Sequence, residues 1–168
     1  KIGNGFEEGV EIGPLINQEA IDKAMAHIRD AEEKGAEIMI GGDTLSNQKG
    51  YYITPTVISG ATDDMLCMQE ETFGPIAPIA SFDEVEEAVE RANNTPFGLA
   101  AYVYSNKISG AIYIAENLEY GIVGVNDGMP SVAQAPFGGF KQSGRGREGS
   151  HHGIDEFLEV KYISLGLE

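Results

Sequence analysis

Apolar residues in this chain change their spacing repeatedly, and that alternation limits the fold more than any other feature. Ile21, Met25 and Ile28 recur at i, i+4, i+7 behind a candidate cap at Asn17, which predicts a helix that Gly35 can stop. Ala36 to Ile40 reads as a short strand. Tyr51 to Ser59 reads as a second, with Pro55 placing it near an edge or irregularity. Asp83 and Glu86 have capping-box spacing ahead of Val85, Ala88, Val89 and Ala92 on one helical face. Leu99 to Tyr104 reads as a strand, and Ser105 or Asn106 opens a third helix with Ile108, Ile112 and Ala115 facing inward. Ile122 to Val125 is a short run of buried-strand type, and Glu156 to Leu165 closes the chain as a strand. Helices alternating with strands predict an α/β fold.

The 168 residues suffice for one ordinary domain, and no stretch approaches the roughly 18 consecutive apolar residues of a membrane span. Eleven Lys and Arg against 27 Asp and Glu give a net charge of −16. A surface that acidic repels phosphate backbones and anionic lipid, which argues against nucleic-acid and membrane partners. The single cysteine, Cys67, rules out an internal disulfide framework and fits a reducing compartment, with the cytoplasm as the expectation. No secretory n-region and h-region is seen, and the opening Lys1-Ile2-Gly3 without Met suggests a fragment.

Asp127 to Ser150 has little periodicity and many glycines, and ordered loops of that length are usually functional. Gly144, Gly146 and Gly149 fit the G-x-G-x-x-G spacing of a dinucleotide turn. That turn needs a strand before it, a helix after it and an acidic residue about 20 positions on, and the chain is nearly finished. The glycines are better explained by a backbone that must run close to other elements. His151 and His152 are adjacent and lack a second ligand cluster, which argues against a metal site.

Two segments are more specific than the rest. One is Glu70-Glu71-Thr72-Phe73-Gly74-Pro75; the other runs from Pro136-Phe137-Gly138-Gly139-Phe140-Lys141 through Gln142-Ser143-Gly144-Arg145-Gly146-Arg147-Glu148-Gly149. In this order they resemble the E-E-x-F-G-P and P-F-G-G-x-K-x-S-G-x-G-R-E-G signatures of the aldehyde dehydrogenase superfamily. The resemblance covers essentially the whole chain and is nearest to the succinate-semialdehyde subgroup.

It implies a mixed or parallel sheet flanked by helices. Residues 1–150 would be the C-terminal part of the catalytic domain, and 151–168 a tail carrying an oligomerisation strand of a homodimer or homotetramer. It also implies that Glu71 holds the nicotinamide ribose of NAD or NADP while Phe73 packs beside the nicotinamide. A carboxylate can accept from two neighbouring ribose hydroxyls, although an acidic chain also has many glutamates that are merely solvated. Phe137 would line the substrate entrance. Ser131 stands where the subgroup places a serine that binds the substrate's remote carboxylate. The alternative for Ser131 is a loop hydroxyl bonded to its own backbone, and Pro130 and Gln134 depart from the subgroup.

Enzymes of this family use a thiolate in a segment like F-x-x-x-G-Q-x-C, which is absent here. Cys67 lacks such neighbours and reads as a buried, inert thiol. No catalytic residue is therefore assigned in this chain, which is expected to be inactive alone. The resemblance implies a parent enzyme that oxidises succinate semialdehyde to succinate through a cysteine thioester. Glutarate semialdehyde or a non-carboxylated aldehyde is the alternative substrate. A non-catalytic binding or oligomerisation module is the alternative of another class.

Overall fold

A computed structural model describes residues 1–45 and 49–167. The chain divides into two compact units, Lys1–Phe82 and Asp83–Glu168.

In the first unit, helix α1 spans Gln18–Glu33, and the Asn17 side chain accepts the Ala20 N–H at 2.9 Å, as an N-cap should. Its inward stripe is Ile21, Ala24, His27, Ile28 and Ala31. Gly35, at φ 93°, follows the C-cap and turns the chain into β1, Glu37–Ile40. Strand β2, Thr56–Ser59, pairs antiparallel with β1 and parallel with β3, Ile76–Ile79. Helix α2, Leu66–Gln69, lies between β2 and β3 in sequence.

The second strand is shorter than expected. Residues 51–55 form loop backbone with an isolated bridge between Thr44 and Ile53, because Pro55 has no N–H for a ladder. Strand β3 and helix α2 were not anticipated: Pro78 interrupts the strand pattern, and the four residues of Leu66–Gln69 are too few to show a helical period. The core consists of Ile21, Ala24, Ile28, Ala31, Ala36, Ile53, Ile58, Ala61, Met65 and Cys67.

In the second unit, α3 covers Val85–Asn93 and presents Val85, Ala88, Val89 and Ala92 as its less exposed face. Its cap differs in register from the expected box. Glu84 occupies the N-cap, and the carboxylate of Glu87, not Glu86, accepts the Asp83 N–H at 3.2 Å. Strand β4, Ala100–Val103, pairs parallel with β5, Ile122–Val125, and α4, Ile108–Asn117, connects them. Ser105 Oγ accepts the Lys107 N–H at 3.1 Å just ahead of α4. Ile108 and Ile112 prove to be exposed, while Ala111 is the buried residue of α4. The helix is therefore turned away from the orientation that its bulkiest residues suggested.

A 3-10 turn spans Lys141–Ser143 and a short helix, α5, spans His152–Asp155. The strand expected over Glu156 to Leu165 is not formed: Phe157 and Leu158 close α5 through bonds to Ile154 and Asp155. Residues 159–167 are exposed and make no ladder among the described residues. A segment with β propensity and no strand edge beside it gains no ladder bonds, so propensity alone cannot order it.

Candidate functional site

Side chains spaced three or four apart along one edge of α1 and its C-cap hold the segment that leads to Phe73. Lys34 Nζ donates to the Asp64 carbonyl at 2.6 Å and to Asp30 Oδ1 at 2.9 Å. Asp30 Oδ2 accepts the Leu66 N–H at 2.7 Å, supplying from another element the cap that α2 lacks. That N–H first, and Lys34 second, hold the Asp30 carboxyl below its ordinary value. One turn earlier, His27 bonds Thr72 Oγ1 through Nδ1 at 2.9 Å and Glu70 Oε2 through Nε2 at 3.3 Å. A further turn back, Ala24 lies against Gly74: a Cβ placed there would come within 3.8 Å of Ala24 Cβ.

Glu70 and Thr72 thus both reach inward to His27, and Glu70 has extended backbone. In extended chain, alternate side chains take opposite faces, so Glu71 points away from the helix. Its carboxylate is exposed and has no hydrogen bond among the described residues. Phe73 is 83% exposed and sits at φ 52°, a left-handed conformation rare for a bulky side chain. Strain of that kind persists only where the surroundings impose it. Here Thr72 is tied to His27 on one side, and on the other the Pro75 carbonyl accepts the Thr56 N–H at 2.8 Å. His27 was not singled out from the sequence. The available signal was a histidine inside the apolar stripe of α1, one turn from Ala24.

Cys67 lies in the same unit. It is buried, and burial pushes its thiol pKa up, the opposite of what a thiolate nucleophile needs.

In the second unit, the glycine-rich segment is stapled to its surroundings. The Phe140 N–H donates to the Gly98 carbonyl at 2.8 Å, and Ser143 Oγ accepts the Gly98 N–H at 2.9 Å. Lys141 Nζ donates to the carbonyls of Asn93 and Thr95 and meets Glu119 Oε2 at 2.7 Å. Arg147 Nη1 donates to the carbonyls of Gly146 and Gly139, and its guanidinium lies 5.8 Å from the Phe140 ring centroid. A Cβ on Gly138 would approach the Gly146 carbonyl oxygen to 2.5 Å, so this backbone does run too close for a side chain. Gly144, Gly146 and Gly149 all have positive φ and lead only into the four residues of α5, a geometry unlike a dinucleotide turn.

Phe137 exchanges backbone bonds with Glu148 at 2.8 and 2.7 Å, and its ring lines an open cavity of about 710 Å³ with Leu99, Arg145 and Phe157. Ser131 is not among the lining residues of that cavity. It is exposed, and its hydroxyl makes no hydrogen bond among the described residues, so it is not spent on its own backbone. The rings of His151 and His152 lie 4.0 Å apart, and no group of three or more potential metal ligands occurs among the described residues. No helix among them is long and apolar enough to cross a membrane.

Residues 1–163 match the sequence model of the Aldehyde dehydrogenase family. The mitochondrial succinate-semialdehyde dehydrogenase of Rattus norvegicus is 52% identical over 166 residues, covering 99% of this chain and 32% of that protein. A probable succinate-semialdehyde dehydrogenase of Sinorhizobium fredii, named for NADP(+), is 48% identical over 166 residues, covering 99% of this chain and 34% of that protein. Among solved structures, succinate-semialdehyde dehydrogenase from Burkholderia pseudomallei superposes with a TM-score of 0.92 at 52% identity, over 97% of this chain and 34% of that one. Betaine aldehyde dehydrogenase from Staphylococcus aureus in complex with NAD+ gives 0.91 at 40% identity, over 97% and 33%. The chain spans about a third of the length of these relatives.

Proposed function

Because this chain belongs to the aldehyde dehydrogenase family, we propose that it is the C-terminal third of an enzyme that oxidises succinate semialdehyde to succinate with NAD or NADP. The dinucleotide supplies the hydride acceptor. The nucleophilic cysteine lies outside these 168 residues, and the chain by itself is inactive. Residues 1–150 contribute to the catalytic domain, and the tail at 151–168 serves assembly into a dimer or tetramer. The compartment is a reducing one, with the cytoplasm our choice, although the rat relative is named mitochondrial.

The observation that carries the reading is the uncommitted carboxylate of Glu71 beside the exposed ring of Phe73. A free carboxylate suits two vicinal ribose hydroxyls, and a projecting aromatic ring suits the flat nicotinamide. The residues present therefore fit the nicotinamide end of the cofactor, with Glu71 orienting the ribose and Phe73 limiting where the ring can lie. Ser131, with its hydroxyl free, would donate to the remote carboxylate of the aldehyde, and Phe137 would wall the entrance. Succinate semialdehyde is preferred over glutarate semialdehyde on the roughly 50% identity to enzymes named for it. The preserved Glu71 and Phe73 weigh against a non-catalytic module.

Glu71→Gln in the full-length enzyme tests the reading. The amide has one acceptor oxygen where the carboxylate has two, so the nicotinamide should sit less well. Single-turnover hydride transfer is expected to slow by about 10-fold or more. An unchanged rate removes Glu71 from the cofactor site.

A further inference from the structure

We propose that His27 is a positioning residue for the cofactor end of the site, acting as a two-sided latch on the residues that flank Glu71. The inference rests on the reading of Glu71 as the ribose acceptor and goes beyond it. His27 is 1% exposed, on the inner face of α1, yet both of its ring nitrogens are engaged by side chains more than 40 residues away in sequence.

The chemistry of the pair fixes an arrangement. An ionised Glu70 can only accept, so Nε2 carries the proton that faces it. With the ring neutral, Nδ1 is then an acceptor and takes the Thr72 hydroxyl proton. Each partner reads a different nitrogen, so the ring can neither flip nor rotate without losing both bonds. Glu70 and Thr72 are thereby fixed on one side, and Glu71 is left the other. Past Thr72 the chain enters the left-handed conformation of Phe73, which a loose segment would relax. The latch thus sets both the direction of the Glu71 carboxylate and the strain that presents the Phe73 ring. Neighbouring anchors at Asp30 and Lys34 bond Asp64 and Leu66 and, among the described residues, make no hydrogen bond to the motif. Of these three side chains, His27 is the one that bonds the motif itself among the described residues.

The test uses the full-length enzyme, titrated with NADH and with NADPH and followed by nicotinamide fluorescence, alongside single-turnover hydride transfer and thermal melting. Thr72→Val keeps the shape and removes the hydroxyl. It is expected to raise the dinucleotide Kd about 3- to 10-fold and slow hydride transfer about 10-fold. Thr72→Ser, which keeps the hydroxyl, should restore most of that loss. Glu70→Ala, on the solvent side of the latch, should weaken binding in the same direction, and it serves if Thr72→Val fails to fold. A purely structural role for His27 would lower the melting temperature of Thr72→Val without changing Kd or hydride transfer in the folded enzyme, and that result overturns the proposal. If Glu71→Gln loses affinity and both latch variants bind like the parent, the latch fails and the ribose reading stands. If Glu71→Gln binds the dinucleotide as the parent does, the ribose reading fails and the latch falls with it.

Discussion

The two units of this chain are held together by different means. Lys1–Phe82 has a contiguous core in which Ile58 and Met65 are fully buried and α1 lays its apolar stripe over a three-stranded sheet. In Asp83–Glu168 the buried apolar side chains among the described residues are Val103 and Ala111, and α3 has none. Order in the second unit comes from polar staples: Lys141 on the carbonyls of Asn93 and Thr95, Arg147 on Gly139 and Gly146, Tyr120 Oη donating to the Ala92 carbonyl. Many of its large apolar residues, Ile108, Ile112, Tyr104 and Phe157 among them, face outward. Exposed apolar surface of that extent marks a surface meant to be covered. The difference teaches that a family signature can be well ordered by backbone bonding while its apolar surroundings remain uncovered. The remaining two-thirds of the proposed enzyme, or a second copy, would supply the cover.

The comparison breaks most readily by truncating one isoleucine in each unit, the fully buried Ile58 in the first and the outward-facing Ile112 in the second. Ile58→Ala empties a site with no solvent access and should cost about 2–5 kcal/mol in urea unfolding of the 168-residue chain. Ile112→Ala, at 45% exposure on α4, should cost well under half of that. Equal losses would mean that the second unit has an apolar core of its own after all.

How much of this was legible depended on whether a residue's role was local. The Asn17 cap, the Ile21–Ile28 stripe and the β4–α4–β5 order follow from short-range rules and are visible in spacing. The Glu70–Pro75 and Pro136–Gly149 segments were legible as motifs through their resemblance to a family signature, and their glycines and turn residues answer to backbone demands that few sequences meet. Long-range pairings were not legible. Nothing near His27 in sequence announces Glu70 and Thr72, and β3 carries Pro78 in mid-strand, which argued against reading a strand there. Ile108 and Ile112 misled for a related reason: periodicity identifies an apolar face, but not whether anything in the same chain covers it.

A smaller effect, present at neutral pH and lost in acid, belongs to the first unit. The Leu66 N–H and Lys34 hold the Asp30 carboxyl below its ordinary value. A depressed folded pKa contributes stability that is complete above the unfolded value of about 3.9 and disappears as pH falls through the lower folded value. Asp30→Asn should therefore unfold more easily than the parent at neutral pH, and the two chains should converge in stability as pH falls through the lowered carboxyl pKa. Urea midpoints measured across that range give the answer. A constant offset at every pH would show that the carboxylate charge is irrelevant to the cap it makes.

The smallest effect is expected at the tail, where the second unit differs most from the first. Beyond Leu158, which closes α5 by donating to the Asp155 carbonyl, the residues are exposed and pair with nothing described. Val160, Tyr162, Ile163, Leu165 and Leu167 give this stretch strand propensity without an edge to join. Deleting Glu159 to Glu168 removes no buried side chain and no staple among the described residues, since Glu156, whose carboxylate accepts the Arg147 N–H at 3.3 Å, is retained. The unfolding free energy of the isolated chain should change by no more than the roughly 0.5 kcal/mol typical of surface changes. The same deletion in the full-length enzyme should lower its mass by light scattering, because we propose that this segment is an assembly strand whose partner edge belongs to another subunit. A stability loss of 2 kcal/mol or more in the isolated chain would mean that the tail packs within its own unit. An unchanged mass for the truncated enzyme would end its role in assembly.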